Sequence, residues 1–166
     1  MPSKIVSIES VAENVRVARE AGRKSVFTNG CYDILHSGHL DSLYRARALG
    51  DLLVVAINSD ESVRRLKGPT RPIFNEAERA EILAGLEMVD FVCTFADDTP
   101  LQAILAIRPD VLVKGADWLE DGIVGREEVE GWGGQVVALP LTAGKSTTGI
   151  IERVLARYGN TRKTHS

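Results

Sequence analysis

The sequence predicts an α/β protein of a single domain, built on a Rossmann-like, doubly wound, five-stranded parallel sheet. Strand-like segments alternate with helix-like segments about five times along the 166 residues, which is typical of a parallel sheet covered by helices. Residues 52–57 are continuously apolar, as expected of a strand buried on both faces. Right-handed crossovers would place helices on both sides of the sheet.

Capping residues and apolar spacing predict the helices. Ser10 with Glu13, and Asn75 with Glu78, match capping boxes, and Pro100 fits the first position of another helix. The first helix continues through the apolar positions Val11, Val15, Val17 and Ala18. The predicted helices cover 10–22, 38–49, 75–86, the segment from 99 onward, and 146–158. The predicted strands cover 25–29, 52–57, 89–95, 110–113 and 135–139.

The composition excludes several classes of protein. There are 20 lysines and arginines against 23 aspartates and glutamates, a formal net charge of −3, whereas proteins that coat nucleic acid usually carry a basic excess. The longest apolar run is far too short for a membrane span, and charged residues near the N-terminus leave no signal-peptide core. Two cysteines without framework spacing suit a reducing compartment. We therefore expect a cytoplasmic protein with no nucleic-acid or membrane partner.

Three segments are expected along the chain: an N-terminal helix over 1–24, the α/β domain over 25–158, and a flexible polar tail over 159–166. In a doubly wound sheet, ligands bind at the carboxyl ends of the strands, where the strand order reverses. That rule directs attention to four loops, which cover 29–39, 59–74, 114–123 and 140–148.

The first of these loops carries a pair of histidines. His36 and His39 stand three residues apart, at the start of the helix predicted over 38–49, a spacing that keeps both imidazoles on one side of a turn. Gly38 between them would let a ligand approach the backbone closely. The helix N-terminus offers N–H groups and partial positive charge to a phosphate. Two imidazoles here could stabilise a phosphoryl group during in-line displacement.

Three other interpretations of this loop remain open. The two histidines could be ordinary surface or capping residues. They could ligate zinc together with Cys31, although Cys93 belongs to a different strand and no fourth ligand is evident. Cys31 could also act as a nucleophile with a histidine base, which nothing beyond proximity supports.

The last loop ends in the sequence Gly-Lys-Ser-Thr-Thr at 144–148, just before the final helix. A P-loop would need a glycine five residues before Gly144, and that position holds Leu139. The segment can still offer hydroxyl and N–H groups to a phosphate. Its hydroxyl-bearing residues are Ser146, Thr147 and Thr148. A plain serine N-cap is the alternative interpretation.

Basic residues follow the second and fourth strands. Four cations within 64–71, beside glycine and proline, suggest a loop able to close over an anionic substrate, and solvated surface charge is the alternative. Asp117 and Trp118 could frame a base or a sugar, although Trp118 could equally be a packing residue. Arg79 could contribute or pair with neighbouring glutamates. The cations expected at one edge of the sheet are Lys67, Arg71, Lys114 and Lys145.

With these residues in view, the chain resembles the nucleotidyltransferase superfamily that carries a His-x-Gly-His motif, from about residue 25 to 154. Residues 30–39 are similar to its first signature and 146–148 to its second. Lys114, and Leu141 where an arginine is usual, distinguish the chain from glycerol-phosphate cytidylyltransferases. Six stretches resemble adenylyltransferases that make ADP-heptose for bacterial lipopolysaccharide: 28–30, 56–60, 65–68, 98–100, 112–115 and 144–148.

That resemblance implies transfer of AMP from ATP to D-glycero-β-D-manno-heptose 1-phosphate, giving ADP-heptose and pyrophosphate. It implies that His36 and His39 stabilise the α-phosphate, while Lys67 and the turn at 146–148 hold the β- and γ-phosphates. Mg²⁺ is the implied cofactor, with no protein ligand assigned, and a homodimer is the implied assembly. A stand-alone nucleotidyltransferase domain over 25–158 is expected, because the 166 residues hold no kinase-sized segment.

The remaining binding residues implied by the resemblance fall into two groups. Nucleotide contacts are expected from Cys31, Tyr32, Gly38, Lys114, Gly115, Asp117, Gly144, Ser146, Thr147 and Thr148. Substrate contacts are expected from Asn29, Asp33, Arg71 and Arg79, with Asp33 either orienting the first motif or meeting the sugar. Two rival functions stay open: a glycerol-phosphate-type cytidylyltransferase that uses CTP, and a non-catalytic nucleotide-binding module.

Overall fold

Five strands form one parallel sheet in the computed structural model, which describes residues 3–115, 122–140 and 144–159. The strands are β1 (Ser25–Gly30), β2 (Leu52–Asn58), β3 (Phe91–Phe95), β4 (Val111–Gly115) and β5 (Gln135–Leu139). Their order is β3-β2-β1-β4-β5, and all neighbours run parallel. The order reverses after β1, so the carboxyl ends of β1 and β4 flank the switch point of a doubly wound sheet. The predicted fold class is confirmed.

Seven helices lie in the described part of the chain. They are α1 (Ile8–Glu20), α2 (Ser37–Arg47), α3 (Asp60–Lys67), α4 (Glu76–Ala84), α5 (Leu101–Ile107), α6 (Arg126–Gly131) and α7 (Thr147–Tyr158). Five match the predicted helices. In contrast, α3 lies in a segment predicted to be a loop, and no element was predicted at α6.

The predicted helix starts differ in accuracy. The Asn75 side chain accepts from the Glu78 N–H at 3.1 Å, and Glu78 accepts from the Asn75 N–H at 2.9 Å, so this capping box is confirmed. The capping box at Ser10 is wrong. There α1 begins earlier, because Ser7 has an extended backbone and its hydroxyl accepts from the Ser10 N–H. Pro100 is the N-cap of α5 rather than its first helical residue.

The core lies on both faces of the sheet. Alternate side chains of β2 enter two different clusters, with Val54 on the face covered by α1 and α5 and Val55 on the face covered by α2 and α4. Burial of such aliphatic side chains contributes about 1.5–3 kcal/mol each. Val17 was expected in this core but is 51% exposed, because it lies off the helical stripe formed by Val11 and Val15.

The N-terminal helix packs into the same core as the sheet, since Val11 and Val15 join the cluster that contains Phe27. Within the described residues, no helix is both long enough and apolar enough to cross a membrane. Residues 160–166, most of the predicted tail, lie outside the described residues.

Candidate active site

One cleft of about 580 Å³ opens at the carboxyl ends of β1, β2 and β4. The amino ends of α2 and α7 reach the same cleft, so two helix N-termini converge on it. Most residues predicted from the sequence line it: Asn29, Cys31, Tyr32, Asp33, His36, Gly38, His39, Lys67, Arg71, Lys114, Ser146, Thr147 and Thr148. The convergence of two helix N-termini at a switch point suits a polyphosphate ligand.

His36 and His39 form a stacked pair at the start of α2. The ring centroids are 3.8 Å apart. His36 occupies the N-cap position, but its side chain makes no capping hydrogen bond. The Nδ1 atoms of both rings are buried and have no hydrogen-bond partner among the described residues. No hydrogen bond to the described residues therefore engages these two nitrogen atoms, and both histidines line the cleft.

Burial lowers the pKa of both imidazoles. The pKa of His39 falls to about 4, mainly through desolvation and secondarily through its neighbour His36. The pKa of His36 is lowered first by desolvation and then by the charge of Lys145. Both shifts favour the neutral ring at pH 7, and a neutral imidazole carries one N–H donor and one acceptor nitrogen.

Gly38 allows the two signature segments to approach each other. A Cβ at this position would lie 2.9 Å from the Cβ of Lys145 and 3.1 Å from two atoms of the His36 ring. The sequence predicts that the missing side chain leaves room for a ligand. In the structure, Lys145 and the His36 ring fill that room, so Gly38 serves the packing of α2 against the start of α7.

The amino end of α7 presents hydroxyl groups to the cleft. Ser146 is the N-cap, and its Oγ accepts from the Gly149 N–H at 3.0 Å. The interpretation of Ser146 as an N-cap is therefore confirmed. A serine hydroxyl that accepts one hydrogen bond still has a proton to donate, so Ser146 can cap the helix and contact an anion together.

Among the described residues, four cations line the cleft, namely Lys67, Arg71, Lys114 and Lys145. The prediction that the four cations within 64–71 lie on one loop is wrong, because α3 extends to Lys67 and places Arg64 and Arg65 on a helix. Arg65 does not line the cleft and pairs instead with Asp98 at 2.6 Å. The positive charge at the cleft therefore stands partly on a regular element, which holds it in place.

Asp33 is a buried carboxylate with both oxygens engaged. Its Oδ1 accepts from the N–H groups of Ile73 and Phe74 at 2.7 and 3.0 Å, and its Oδ2 accepts from Arg71. The residue is only 2% exposed. These contacts correspond to neither of the two roles expected for Asp33, which were orienting the first motif and meeting the sugar. Asp33 instead holds the segment 71–74, which carries Arg71.

Arg79 is buried on α4 and does not line the cleft. It donates to the backbone carbonyls of Cys31 and Phe74 and to the Asp60 carboxylate. A direct substrate contact by Arg79, expected from the sequence, does not fit this burial. A basic residue in a helix beside glutamates gives no sign in the sequence that it will be buried.

The geometry around Cys31 does not favour either alternative chemistry. Burial raises the pKa of its thiol, against the opposing charges of Lys67, Arg79 and Arg71, so the reactive thiolate is disfavoured. The thiol faces Asn58 Oδ1 at 3.9 Å. Among the described residues, no group of three or more histidine, cysteine, aspartate or glutamate side chains could hold a metal ion.

A smaller pocket of about 200 Å³ adjoins the cleft at the carboxyl ends of β1 and β4. It is lined in part by Asn29, Lys114 and Gly115, and the Oδ1 atom of Asn29 is buried without a hydrogen-bond partner among the described residues. Tyr32 closes one side, and burial raises the pKa of its hydroxyl to about 12 against a hydrogen bond with Thr28. The pocket therefore has polar groups in its lining and suits a ligand with hydrogen-bonding groups.

Some of the predicted residues do not line the cleft, and some residues that line the cleft were not predicted. Gly144 lines neither pocket, and Asp117 lies outside the described residues, as does Trp118. The residues that line the cleft without having been predicted include Ser42, Asn58, Asp98 and Thr99. Asn58 ends β2, so the rule that ligands bind at strand ends could have identified it.

Comparison with known proteins assigns the family. The sequence matches the cytidylyltransferase-like family over residues 27–153. The chain belongs to this family. Its membership confirms the resemblance to nucleotidyltransferases that the two signature segments indicate.

Curated relatives of the cytidylyltransferase-like chain are longer than it is. The bifunctional protein HldE of Trichlorobacter lovleyi is 53% identical over 156 residues, which are 94% of this chain and 32% of the relative. The bifunctional protein HldE of Geobacter sulfurreducens is 49% identical over 157 residues, 95% of this chain and 32% of the relative. The chain thus spans about a third of the length of these relatives.

A solved structure also resembles this family member. The lipopolysaccharide core biosynthesis protein from Thermoplasma volcanium superposes with a TM-score of 0.60 at 29% sequence identity. The match covers 73% of this chain and 98% of that protein.

Proposed function

We propose that the protein is an adenylyltransferase that transfers AMP from ATP to D-glycero-β-D-manno-heptose 1-phosphate, giving ADP-heptose and pyrophosphate. The observation that carries the proposal is the meeting of two neutral histidines, two helix N-termini and four cations in one cleft. Further support comes from the six stretches that resemble ADP-heptose-forming enzymes. The likeness to the bifunctional proteins HldE and to a lipopolysaccharide core biosynthesis protein agrees with it.

The reaction is an in-line displacement at the α-phosphorus of ATP. A phosphate oxygen of the sugar 1-phosphate supplies the electron pair of the new P–O bond. The bond from the α-phosphorus to the oxygen bridging to the β-phosphate breaks, and its electron pair leaves with pyrophosphate. The acceptor oxygen is already ionised, so no general base is needed and no covalent enzyme intermediate forms. Catalysis then consists of positioning and charge stabilisation.

We assign the α-phosphate to His36 and His39. Charge grows on its non-bridging oxygens as the fifth bond forms, and N–H donors aimed at those oxygens stabilise the transition state more than the ground state. Neutral imidazoles can donate without the repulsion that two imidazolium rings would feel in a stack. Gly38 between them belongs to the same nucleotide-binding turn, together with Cys31 and Tyr32.

The leaving pyrophosphate requires cations and N–H groups of its own. Lys67 at the end of α3 and the hydroxyl-bearing start of α7, residues 146–148, line the cleft together. A helix N-terminus carries partial positive charge, and a lysine adds a full one. We assign the β- and γ-phosphates to this side of the cleft.

The remaining parts of the two substrates are assigned to the switch point. The adenine is placed near Lys114 and Gly115, with Asp117 in the following segment as a further contact. The acceptor is placed near Asn29, whose buried Oδ1 needs a donor such as a sugar hydroxyl. Arg71, held by Asp33, supplies a cation for the acceptor phosphate.

Magnesium is proposed to enter as part of the MgATP substrate rather than as a resident ion. Mg²⁺ commonly binds one or two carboxylates together with substrate phosphates. Two carboxylates line the described part of the cleft, and each already faces a cation: Asp33 pairs with Arg71, and Asp98 with Arg65. The phosphate oxygens would therefore provide the coordination.

An assay of pyrophosphate release tests the proposal. ATP and CTP are each offered with heptose 1-phosphate, other sugar 1-phosphates and glycerol 3-phosphate. We expect the highest kcat/KM with ATP and the heptose phosphate. A preference for CTP with a polyol phosphate would contradict the proposed substrate pair. No turnover with any pair would favour a non-catalytic nucleotide-binding module.

We further propose a homodimer that works in the cytoplasm, where ATP is available. The exposed apolar side chains along α7 support a contact between subunits, since Val154, Leu155 and Tyr158 are each more than half exposed. Light scattering on the purified protein gives the mass directly, and a monomer at micromolar concentration would contradict the assembly.

A further inference from the structure

One buried cation joins three segments that build the cleft. The Arg79 side chain has no exposed surface. Its Nη1 donates to the Cys31 carbonyl at 2.7 Å, its Nε to the Phe74 carbonyl at 3.1 Å, and its Nη2 to Asp60 Oδ1 at 2.8 Å. A buried charge is tolerated only where such partners replace its lost hydration. Arg79 is therefore fixed in place, and it fixes its partners in turn.

Two of the three partners lead directly to residues of the cleft. Cys31 follows β1 in the loop that carries the histidine pair. Asp60 is the first residue of α3 and Lys67 the last. Because a short helix moves as a rigid body, holding the Asp60 end also holds the Lys67 end.

The third partner is held from both sides. The Phe74 carbonyl accepts from Arg79, while the Phe74 N–H donates to Asp33 at 3.0 Å. Asp33 also pairs with Arg71, and Arg71 lines the cleft. One guanidinium and one carboxylate thus fix the segment 71–74 between them.

We propose that Arg79 is a positioning residue for the transfer reaction, which sets the placement of the histidine pair, Lys67 and Arg71 relative to one another without touching either substrate. The reaction in question rests on the proposed function, but the geometry serves any nucleoside triphosphate. A planar guanidinium is required, because its rigid fork presents donors in three directions at once, whereas a lysine ammonium is a compact point charge.

The informative variant is Arg79→Lys, which keeps the charge and removes the fork. We expect kcat to fall about 30-fold, in line with the sensitivity of bound reactants to displacements of about 1 Å. Arg19→Lys is the matched control. Arg19 also joins two elements through an ion pair, to Asp110 at 3.0 Å, but at the amino end of the sheet. Its replacement should lower the unfolding midpoint and leave kcat unchanged.

A double-mutant cycle separates positioning from a loss of folded protein. If Arg79 acts through Lys67, Arg79→Lys should lower kcat about 30-fold in the native background and only about fivefold in the Lys67→Met background. All rates are measured below the unfolding midpoint of every variant. Equal costs in the two backgrounds, or a loss of kcat that merely follows the unfolded fraction, would overturn the proposal.

The affinity for ATP, measured by calorimetry, gives a readout that does not need the acceptor. We expect Arg79→Lys to weaken ATP binding and Arg19→Lys to leave it unchanged. If the native protein prefers CTP and a polyol phosphate, the proposed substrates are wrong while the same cycle with that pair still tests Arg79. Unchanged kcat and unchanged triphosphate affinity in Arg79→Lys would refute the positioning role.

Discussion

The imidazole rings of His36 and His39 stack with their centroids 3.8 Å apart and their planes inclined by 18°. Two protonated rings at that separation would repel each other, so the stack itself opposes protonation. Burial acts in the same direction and is the larger cause for each ring. The pair therefore offers neutral donors at physiological pH.

Acid should destabilise the native protein through His39. The pKa of this side chain is lowered from 6.5 to about 4, so in this window the unfolded chain binds a proton that the folded chain excludes. The free energy of unfolding should fall as the pH drops from 6.5 to 4, by up to about 1.4 kcal/mol per pH unit. Urea unfolding at pH 7.5, 6 and 5 measures this slope. His39→Asn should flatten it, and an equal slope in that variant would contradict the assignment.

Replacing either histidine should reduce turnover without unfolding the protein. We expect His36→Asn and His39→Asn each to lower kcat about 100- to 1000-fold, the usual cost of removing a transition-state donor. The double variant should lose little more than the worse single one, because residues that act as a unit are not additive. Steady-state kinetics give the rates, and circular dichroism checks the fold. Fully multiplicative losses would mean that the two rings act independently.

Gly38→Ala should impair catalysis through crowding alone. The added methyl would lie 2.9 Å from the Lys145 Cβ and 3.1 Å from the His36 ring, so one of them must move. We expect kcat to fall at least about tenfold, since displacements of about 1 Å are costly. Gly131→Ala is the matched control, because nothing lies within 4 Å of its Cβ position in α6. That change should raise stability by up to about 1 kcal/mol and leave kcat unaltered.

Two substitutions of Ser146 separate its capping role from phosphate binding. Ser146→Ala removes the acceptor of the Gly149 N–H and should cost about 1 kcal/mol of stability, whereas Ser146→Asp keeps an acceptor but adds negative charge. We expect the aspartate variant to be the more stable of the two and to have the higher KM for ATP.

The control for Ser146 is Ser7→Ala. Ser7 caps α1 in the same manner and does not line the cleft. Its loss should lower the unfolding midpoint while KM for ATP stays constant. If Ser146→Asp binds ATP as tightly as the native protein, the triphosphate does not lie at the start of α7.

The sheet could be predicted because its signals are local. The apolar run of β2 and the capping box at Asn75 need no knowledge of distant residues. The helix α3 was missed although Ser59 caps it and Asp60 and Glu61 occupy its first turn, because the basic residues that follow, with glycine and proline, resemble a loop. The capping box predicted at Ser10 is wrong for another reason. Ser7 and Ser10 can both cap α1, and Ser7 is the N-cap in the structure.

The site could be predicted only in part. The spacing of His36 and His39 identifies them as candidate site residues, and the hydroxyl residues identify the start of α7 as part of the site. The engagement of Asp33 and the burial of Arg79 depend on contacts across about 40 to 50 residues of chain, which no local pattern encodes. The sequence predicts substrate contacts for both residues, and only the tertiary structure reveals that they are buried and support the cleft instead.

Buried polar atoms on Asn29, His36 and His39 lack partners within the described part of the chain. An unsatisfied buried polar group costs about 1–3 kcal/mol, so these three atoms lower the free energy of unfolding. Stability and activity therefore make opposite demands at these three positions. Selection for thermal stability alone would replace these three residues with apolar side chains. The resulting protein would be more stable and inactive. A bound ligand that supplies the missing partners should, in contrast, raise the unfolding temperature of the native sequence.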